Sequence, residues 1–192
     1  MGSQTILVIR HAEKPEPGGE TAGVDEEGGR DAKSLTPRGW QRAGAWTELF
    51  VPSLAVERPL PAPSAIFASA PSTGQEDVAG AASSKSKRPL ETISGLAAKL
   101  GVNVDLRFSK GQEAALASVI SLVEGVVLVC WQHEDITTIA RGLGPISADV
   151  PGVWPSDRFN VMFRFDRPGR AASWTFSQVV PVMLDGDKQE PL

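Results

Sequence analysis

Two short apolar runs, each followed at once by one of the chain's only two histidines, constrain this fold more than any other feature of the sequence. Thr5-Ile6-Leu7-Val8-Ile9 leads into Arg10-His11-Ala12-Glu13-Lys14. Val126-Val127-Leu128-Val129-Cys130-Trp131 leads into Gln132-His133-Glu134-Asp135. Continuous β-branched runs without polar alternation are the mark of strands covered on both faces, as in a parallel sheet. In an open α/β sheet, ligands bind beyond the carboxyl ends of the strands. Both imidazoles are therefore expected at that edge, one of them beside an arginine.

The rest of the chain supplies helices for such a sheet. Thr36-Pro37 opens the first, since Thr caps and Pro suits the first turn. Trp40, Ala43, Trp46, Leu49 and Phe50 follow at near-helical spacing and read as core. Ala65 to Ser69 reads as a strand. A second helix is expected from Pro89 to Leu100, stopped by Gly101. A short strand over Val102–Leu106 precedes an amphipathic helix over Gln112–Val123, and another helix covers Ile136–Leu143. Segments 15–33 and 70–87 read as loops, the second as a mobile surface loop. Two β-like runs follow, Arg158–Phe165 and Ser173–Leu184, joined by the turn residues Asp166-Arg167-Pro168-Gly169.

The expected fold is α/β: a three-layer α/β/α domain over residues 1–192, with a mostly parallel central sheet and a C-terminal antiparallel hairpin extension. A net charge of -4 argues against general nucleic-acid binding. The single cysteine, Cys130, forms no disulfide framework and suits a reducing compartment. With no stretch near the ~18 apolar residues of a membrane span and no visible signal peptide, the expectation is a cytoplasmic enzyme with no membrane partner.

A neutral histidine is a competent nucleophile toward phosphorus. Phosphoryl transfer otherwise needs positioning and positive charge around the non-bridging oxygens. Arg10 offers a planar fork matched to phosphate. Arg88, in Ser86-Lys87-Arg88-Pro89-Leu90-Glu91-Thr92, opens a helix whose N-terminal end favours anions, and is the best candidate for a second guanidinium. Lys14 is expected to add charge at the pocket mouth. Trp131, Trp154 and Arg158 are candidates to shape the substrate end, and Cys130 reads as an inert core residue.

These residues resemble the histidine phosphatase superfamily, which includes the phosphoglycerate-mutase-like enzymes. The likeness lies in Ile9-Arg10-His11-Ala12-Glu13, then Leu35-Thr36-Pro37-Arg38-Gly39, then Phe67-Ala68-Ser69 with Arg88-Pro89-Leu90-Glu91-Thr92, then Trp131-Gln132-His133. The resemblance implies that His11 attacks phosphorus and carries a phosphohistidine. It implies that Arg10, Arg88 and His133 hold the phosphoryl oxygens, that a carboxylic acid protonates the leaving oxygen, and that no metal or other cofactor is needed. The implied activity is hydrolysis of a small phosphorylated substrate. Two rivals stand beside it: a phosphomutase, and a non-catalytic phosphate-binding module on the same fold.

The sequence departs from the family pattern at three points. Ala12 replaces the usual Gly. The segment between Ser69 and Arg88 is expanded, which leaves Lys85 and Lys87 as rivals to Arg88. Glu134 follows the second histidine, where mutase-like members have Gly and the phytase-like branch has an acid. Glu134 is accordingly the first choice for proton donor, with Glu13 and Glu91 as alternatives.

Overall fold

A computed structural model describes residues 2–54, 60–71 and 86–192. The centre of the molecule is the pairing of two strands, β1 (Gln4–Arg10) and β4 (Gly125–Trp131), which run parallel in the register Gln4↔Gly125 to Arg10↔Trp131. Around them lie α1 (Pro37–Phe50), β2 (Ala65–Ala68), α2 (Arg88–Leu100), β3 (Val104–Asp105), α3 (Glu113–Ile120), α4 (Ile136–Gly142), β5 (Met162–Arg167) and β6 (Thr175–Val179). The six strands form one mixed sheet in the order β3-β2-β4-β1-β5-β6, an α/β fold. β2 pairs parallel with β3 and β4, whereas β5 is antiparallel to both β1 and β6.

Side chains alternate across a strand, so each central strand feeds two cores. Ile6, Val8, Val127, Val129 and Trp131 pack with Leu116, Ala117 and Ile120 of α3 and Ile136, Ile139 and Ala140 of α4. Leu7, Ile9, Leu128 and Cys130 pack with Trp46 and Phe50 of α1 and Ile93, Leu96 and Ala97 of α2. The helix that follows β1 thus lies on one face of the sheet, and the helix that follows β4 lies on the other. Loops that depart to opposite faces from two neighbouring strands diverge at the carboxyl edge, the position where open α/β sheets bind ligands. Among the described residues, no helix is long and apolar enough to cross a membrane.

Several boundaries differ from the sequence reading for local reasons. α3 stops at Ile120, where the N–H of Ser121 bonds to Ala117, and Leu122 stands exposed. β5 begins at Met162 instead of Arg158, because residues 158–160 spend their polar groups elsewhere: the Arg158 carbonyl accepts from Trp154, and the Asn160 amide donates to Pro181 and Lys188. β6 ends at Val179, ahead of Pro181, which has no N–H for a ladder. Trp131 and Trp154 are core, not substrate-facing: each indole N–H is satisfied inside, by Glu113 and by Arg158 respectively. Of the expected 70–87 loop, residues 72–85, including Lys85, lie outside the described residues.

The start of α1 is pressed against the chain that leaves β1. Thr36 caps it, accepting from the Gly39 N–H at 3.2 Å, and the Thr36 N–H donates to the Glu13 carbonyl at 3.0 Å. A Cβ placed on Gly39 would lie 2.5 Å from that same carbonyl oxygen. Real Cβ atoms do not approach backbone so closely, so Gly39→Ala must push the segment after His11 aside. We expect it to destabilise the fold by about 1–3 kcal/mol in urea unfolding. On the exposed side of the same helix a Cβ on Gly44 meets nothing within 4 Å. There, Gly44→Ala should stabilise by about 0.5–1 kcal/mol. Equal effects at the two sites would mean that the close approach at Gly39 is not real.

Candidate active site

The β1–β4 register brings the two histidines to one edge. Beyond the last paired residues, the His11 N–H still bonds to the Trp131 carbonyl at 3.0 Å, so the ladder continues one step into the site. His11 is 3% exposed, and its Nδ1 lies 2.7 Å from the Ala12 carbonyl. A carbonyl only accepts, so Nδ1 carries the proton and Nε2 keeps its lone pair. Burial, and then the positive charge of Arg10, pull the His11 pKa down to about 3, with Arg88 and His133 adding to the same trend. The imidazole is therefore neutral over the whole physiological range.

Arg10 is fully buried, yet it stays charged: burial lowers its pKa to about 10, against the raising influence of Glu134 and Glu13. Its Nη1 donates to the carbonyls of Pro155 (3.2 Å) and Ser156 (2.8 Å) and lies 3.4 Å from that of Arg158. Its Nη2 sits 3.5 Å from His133 Nδ1, and its buried Nε has no partner among the described residues.

His133 follows β4 in a single 3-10 turn, His133–Asp135. Its Nδ1 is 2.8 Å from the Glu134 carboxylate, which Lys110 approaches at 2.6 Å from the other side. Hydrogen bonds from His133 and Lys110, opposed by partial burial, hold Glu134 well below the usual carboxylate range. The expected proton donor is thus an ionised acceptor, and this corrects its assigned role. A carboxylate so placed accepts from Nδ1 and fixes the orientation of the His133 ring.

The other named residues divide. Arg88 stands at the start of α2, near enough to act on His11, with its guanidinium held by the Ser34 and Ala32 carbonyls. One turn on, Thr92 Oγ1 accepts the Ala12 N–H at 2.9 Å, which ties α2 to the residue after His11. Among the described residues, no non-glycine residue has positive φ, so the extra methyl of Ala12 brings no backbone strain. Lys87, the rival of Arg88, turns to Asp31 at 2.7 Å. Lys14 makes no ion pair among the described residues and is half-buried near the edge.

Glu13 and Glu91 are not placed as free acids. Glu13 receives Arg42 Nε at 2.9 Å and Nη2 at 2.7 Å. Glu91 is buried and accepts from the Ser34 hydroxyl (2.6 Å) and the Leu35 N–H (2.9 Å), just ahead of the α1 cap. Burial raises its pKa against those two bonds. Both carboxylates tie loops together.

Sequence reasoning missed Arg42, Lys110, Phe159 and Asp187. Arg42 alone left a signal: it is a charged residue on the face of α1 that buries Gly39, Trp46 and Phe50. Lys110, Phe159 and Asp187 lie in segments whose loop conformation no periodicity announces. Among the described residues, no cluster of three or more His, Cys, Asp or Glu side chains could hold a metal ion. No family model matches the chain, and no curated protein matches it. The chemistry therefore rests on the site's own geometry.

Burial of a neutral imidazole has a thermodynamic signature. In the unfolded chain His11 titrates near 6.5; in the fold it does so near 3. Between those values the unfolded state binds a proton that the folded state refuses. Stability is thus complete above about pH 6.5 and falls as the pH drops toward 3, by a few kcal/mol. In urea unfolding near pH 7 and near pH 4.5, the native protein should lose at least ~1 kcal/mol more than His11→Gln over that interval. Equal losses would show that His11 is not buried in its neutral form.

Proposed function

We propose that the protein is a metal-independent phosphatase that hydrolyses a small phosphate monoester through a phosphohistidine on His11. One observation carries the reading. An imidazole kept neutral, with Nδ1–H pinned to the Ala12 carbonyl, keeps a nucleophilic Nε2 beside the Arg10, Arg88 and His133 cations or donors. In the first step the Nε2 lone pair attacks phosphorus and the ester P–O bond breaks. The departing oxygen takes the bonding pair and a proton from Nε2 of His133, whose Nδ1–H is held by the ionised Glu134, so that this pair is left one proton short. In the second step water attacks phosphorus, the P–N bond returns its pair to Nε2, and the proton released by water goes back to that pair.

Arg10, with its unpartnered buried Nε, and Arg88 hold the phosphoryl oxygens, and Lys14 adds charge at the mouth. No cofactor, nucleic acid or membrane enters the scheme. In this reading the fold is the three-layer α/β/α sandwich with the β5–β6 hairpin as its extension, and the protein acts in the cytoplasm. The two apolar cores on opposite faces of the sheet and the buried free thiol of Cys130 support those two points.

The test is turnover of an aryl phosphate with and without chelator. His11→Ala should fall below a few per cent of native activity, and acid-labile phosphate should be trapped on native protein but not on the variant. Activity retained by His11→Ala would overturn the assignment, and loss of native activity to chelator would overturn the metal-free scheme. Phosphate appearing on a second hydroxyl, instead of free in solution, would mark a mutase. Glu134→Gln should slow alkyl phosphates, which need a proton on the leaving oxygen, about 10–100-fold more than activated aryl phosphates. Equal slowing would detach Glu134 from proton transfer.

A further inference from the structure

Arg10 is held by a loop, and the loop is held by a later part of the chain. The segment 155–158 supplies the three carbonyls around Arg10 Nη1, at 2.8 to 3.4 Å. The next residue, Phe159, lays its ring under the guanidinium, 3.8 Å from the ring centre to Cζ. One amino group and one face of Arg10 are thereby committed to the protein, and Nε and Nη2 remain for an anion. The same ring has a second guanidinium near it, that of Arg42, at 5.9 Å.

A loop of this kind needs anchors of its own, and residues 181–190 provide them. The Asn160 side chain, 2% exposed, donates to the carbonyls of Pro181 (2.9 Å) and Lys188 (2.7 Å). Arg158 donates to the Glu190 carbonyl, and Lys188 pairs with Asp157 at 2.7 Å. Asp187 closes the arrangement. It accepts from the Met183 and Leu184 N–H groups at 2.9 and 3.0 Å and from Arg42 at 2.8 and 3.0 Å. Arg42 in turn grips Glu13, two residues after the nucleophile.

We propose that residues 181–190 form a strap that sets the pose of the anion-binding arginine, with Phe159, Asn160 and Asp187 as positioning residues for Arg10. The proposal rests on the phosphatase reading of the site. The strap touches no substrate. It acts by holding the guanidinium flat on Phe159 with Nη1 spent, so that the remaining donors are already aligned when a phosphoryl group arrives.

The probe is inorganic phosphate, its dissociation constant measured by calorimetry on the full chain, beside kcat and KM for an aryl phosphate. Phe159→Leu should weaken phosphate binding about 10-fold and Phe159→Tyr should restore most of it, since the tyrosine ring keeps the shelf. Asn160→Ala and Asp187→Asn should weaken binding in the same direction, with the loss in KM exceeding that in kcat. In an Arg10→Ala background, Phe159→Leu should cost nothing further, because there is no guanidinium left to position. A general loss of packing would lower stability and leave the phosphate affinity of the folded protein unchanged. Native protein that binds no phosphate would overturn the phosphatase reading and the strap with it. Native binding matched within twofold by Phe159→Leu, or a Phe159→Leu loss undiminished without Arg10, would overturn the strap alone.

Discussion

The site depends on the parallel register of β1 against β4. A slip of one residue along a strand moves every side chain to the opposite face. Here such a slip would send Ile6 and Val8 toward α1 and α2, and Leu7 and Ile9 toward α3 and α4, into cores shaped for the other set. Both faces are buried, so both resist the shift. The relative placement of His11 and His133 is therefore set by apolar packing, well before any polar contact between them forms. The hydrogen bond from the His11 N–H to the Trp131 carbonyl carries that order one residue past the sheet.

Burial then acts on the two adjacent polar residues in opposite ways. Removing water penalises the charged form of each. The imidazole, whose ordinary pKa lies close to neutral, gives up a proton and keeps a free lone pair on Nε2. The guanidinium starts far higher and keeps its charge even at a pKa of about 10, helped by carbonyl acceptors and the ring of Phe159. One environment thus yields an electron-pair donor and a cation side by side. The cost is an active-site histidine that opposes folding when acid forces a proton onto it.

What the sequence revealed follows from which interactions are periodic. The strands β1 and β4, the helix faces of α1 and α2, and the convergence of Arg10, His11 and His133 were all readable, because alternation, capping and strand ends write themselves into local patterns. The part played by Glu134 was not. A carboxylate beside a histidine reads as an acid, but the bond from His133, joined by Lys110 from 24 residues earlier, makes it an ionised acceptor. The loop-tying contacts of Glu13 and Glu91 were equally hidden, since their partners Arg42 and Ser34 lie 29 and 57 residues off. Residues 158–160 were read as the start of a strand, where Phe159 and Val161 alternate with polar residues. The carbonyls of residues 155, 156 and 158 face Arg10 instead, and the side chains of Arg158 and Asn160 reach the segment after Val180, a long-range demand that no window of neighbours contains.

The pairing of those acids also resolves a tension in the charge balance. A chain with a net charge of -4 is an unpromising home for a dianionic ligand. Yet five of the acids around the edge have basic partners: Glu13 and Asp187 share Arg42, Glu134 has Lys110 and His133, Asp31 has Lys87, and Asp157 has Lys188. Charge paired at hydrogen-bonding distance decays quickly with separation. Arg10, by contrast, has only neutral carbonyls and an aromatic face as direct partners besides the neighbouring imidazole. Its positive field is therefore uncancelled at short range, in a site with little water to screen it. The sign of the potential at such a site is decided by which charges are left without a close counter-ion, and the molecular total has little bearing on it.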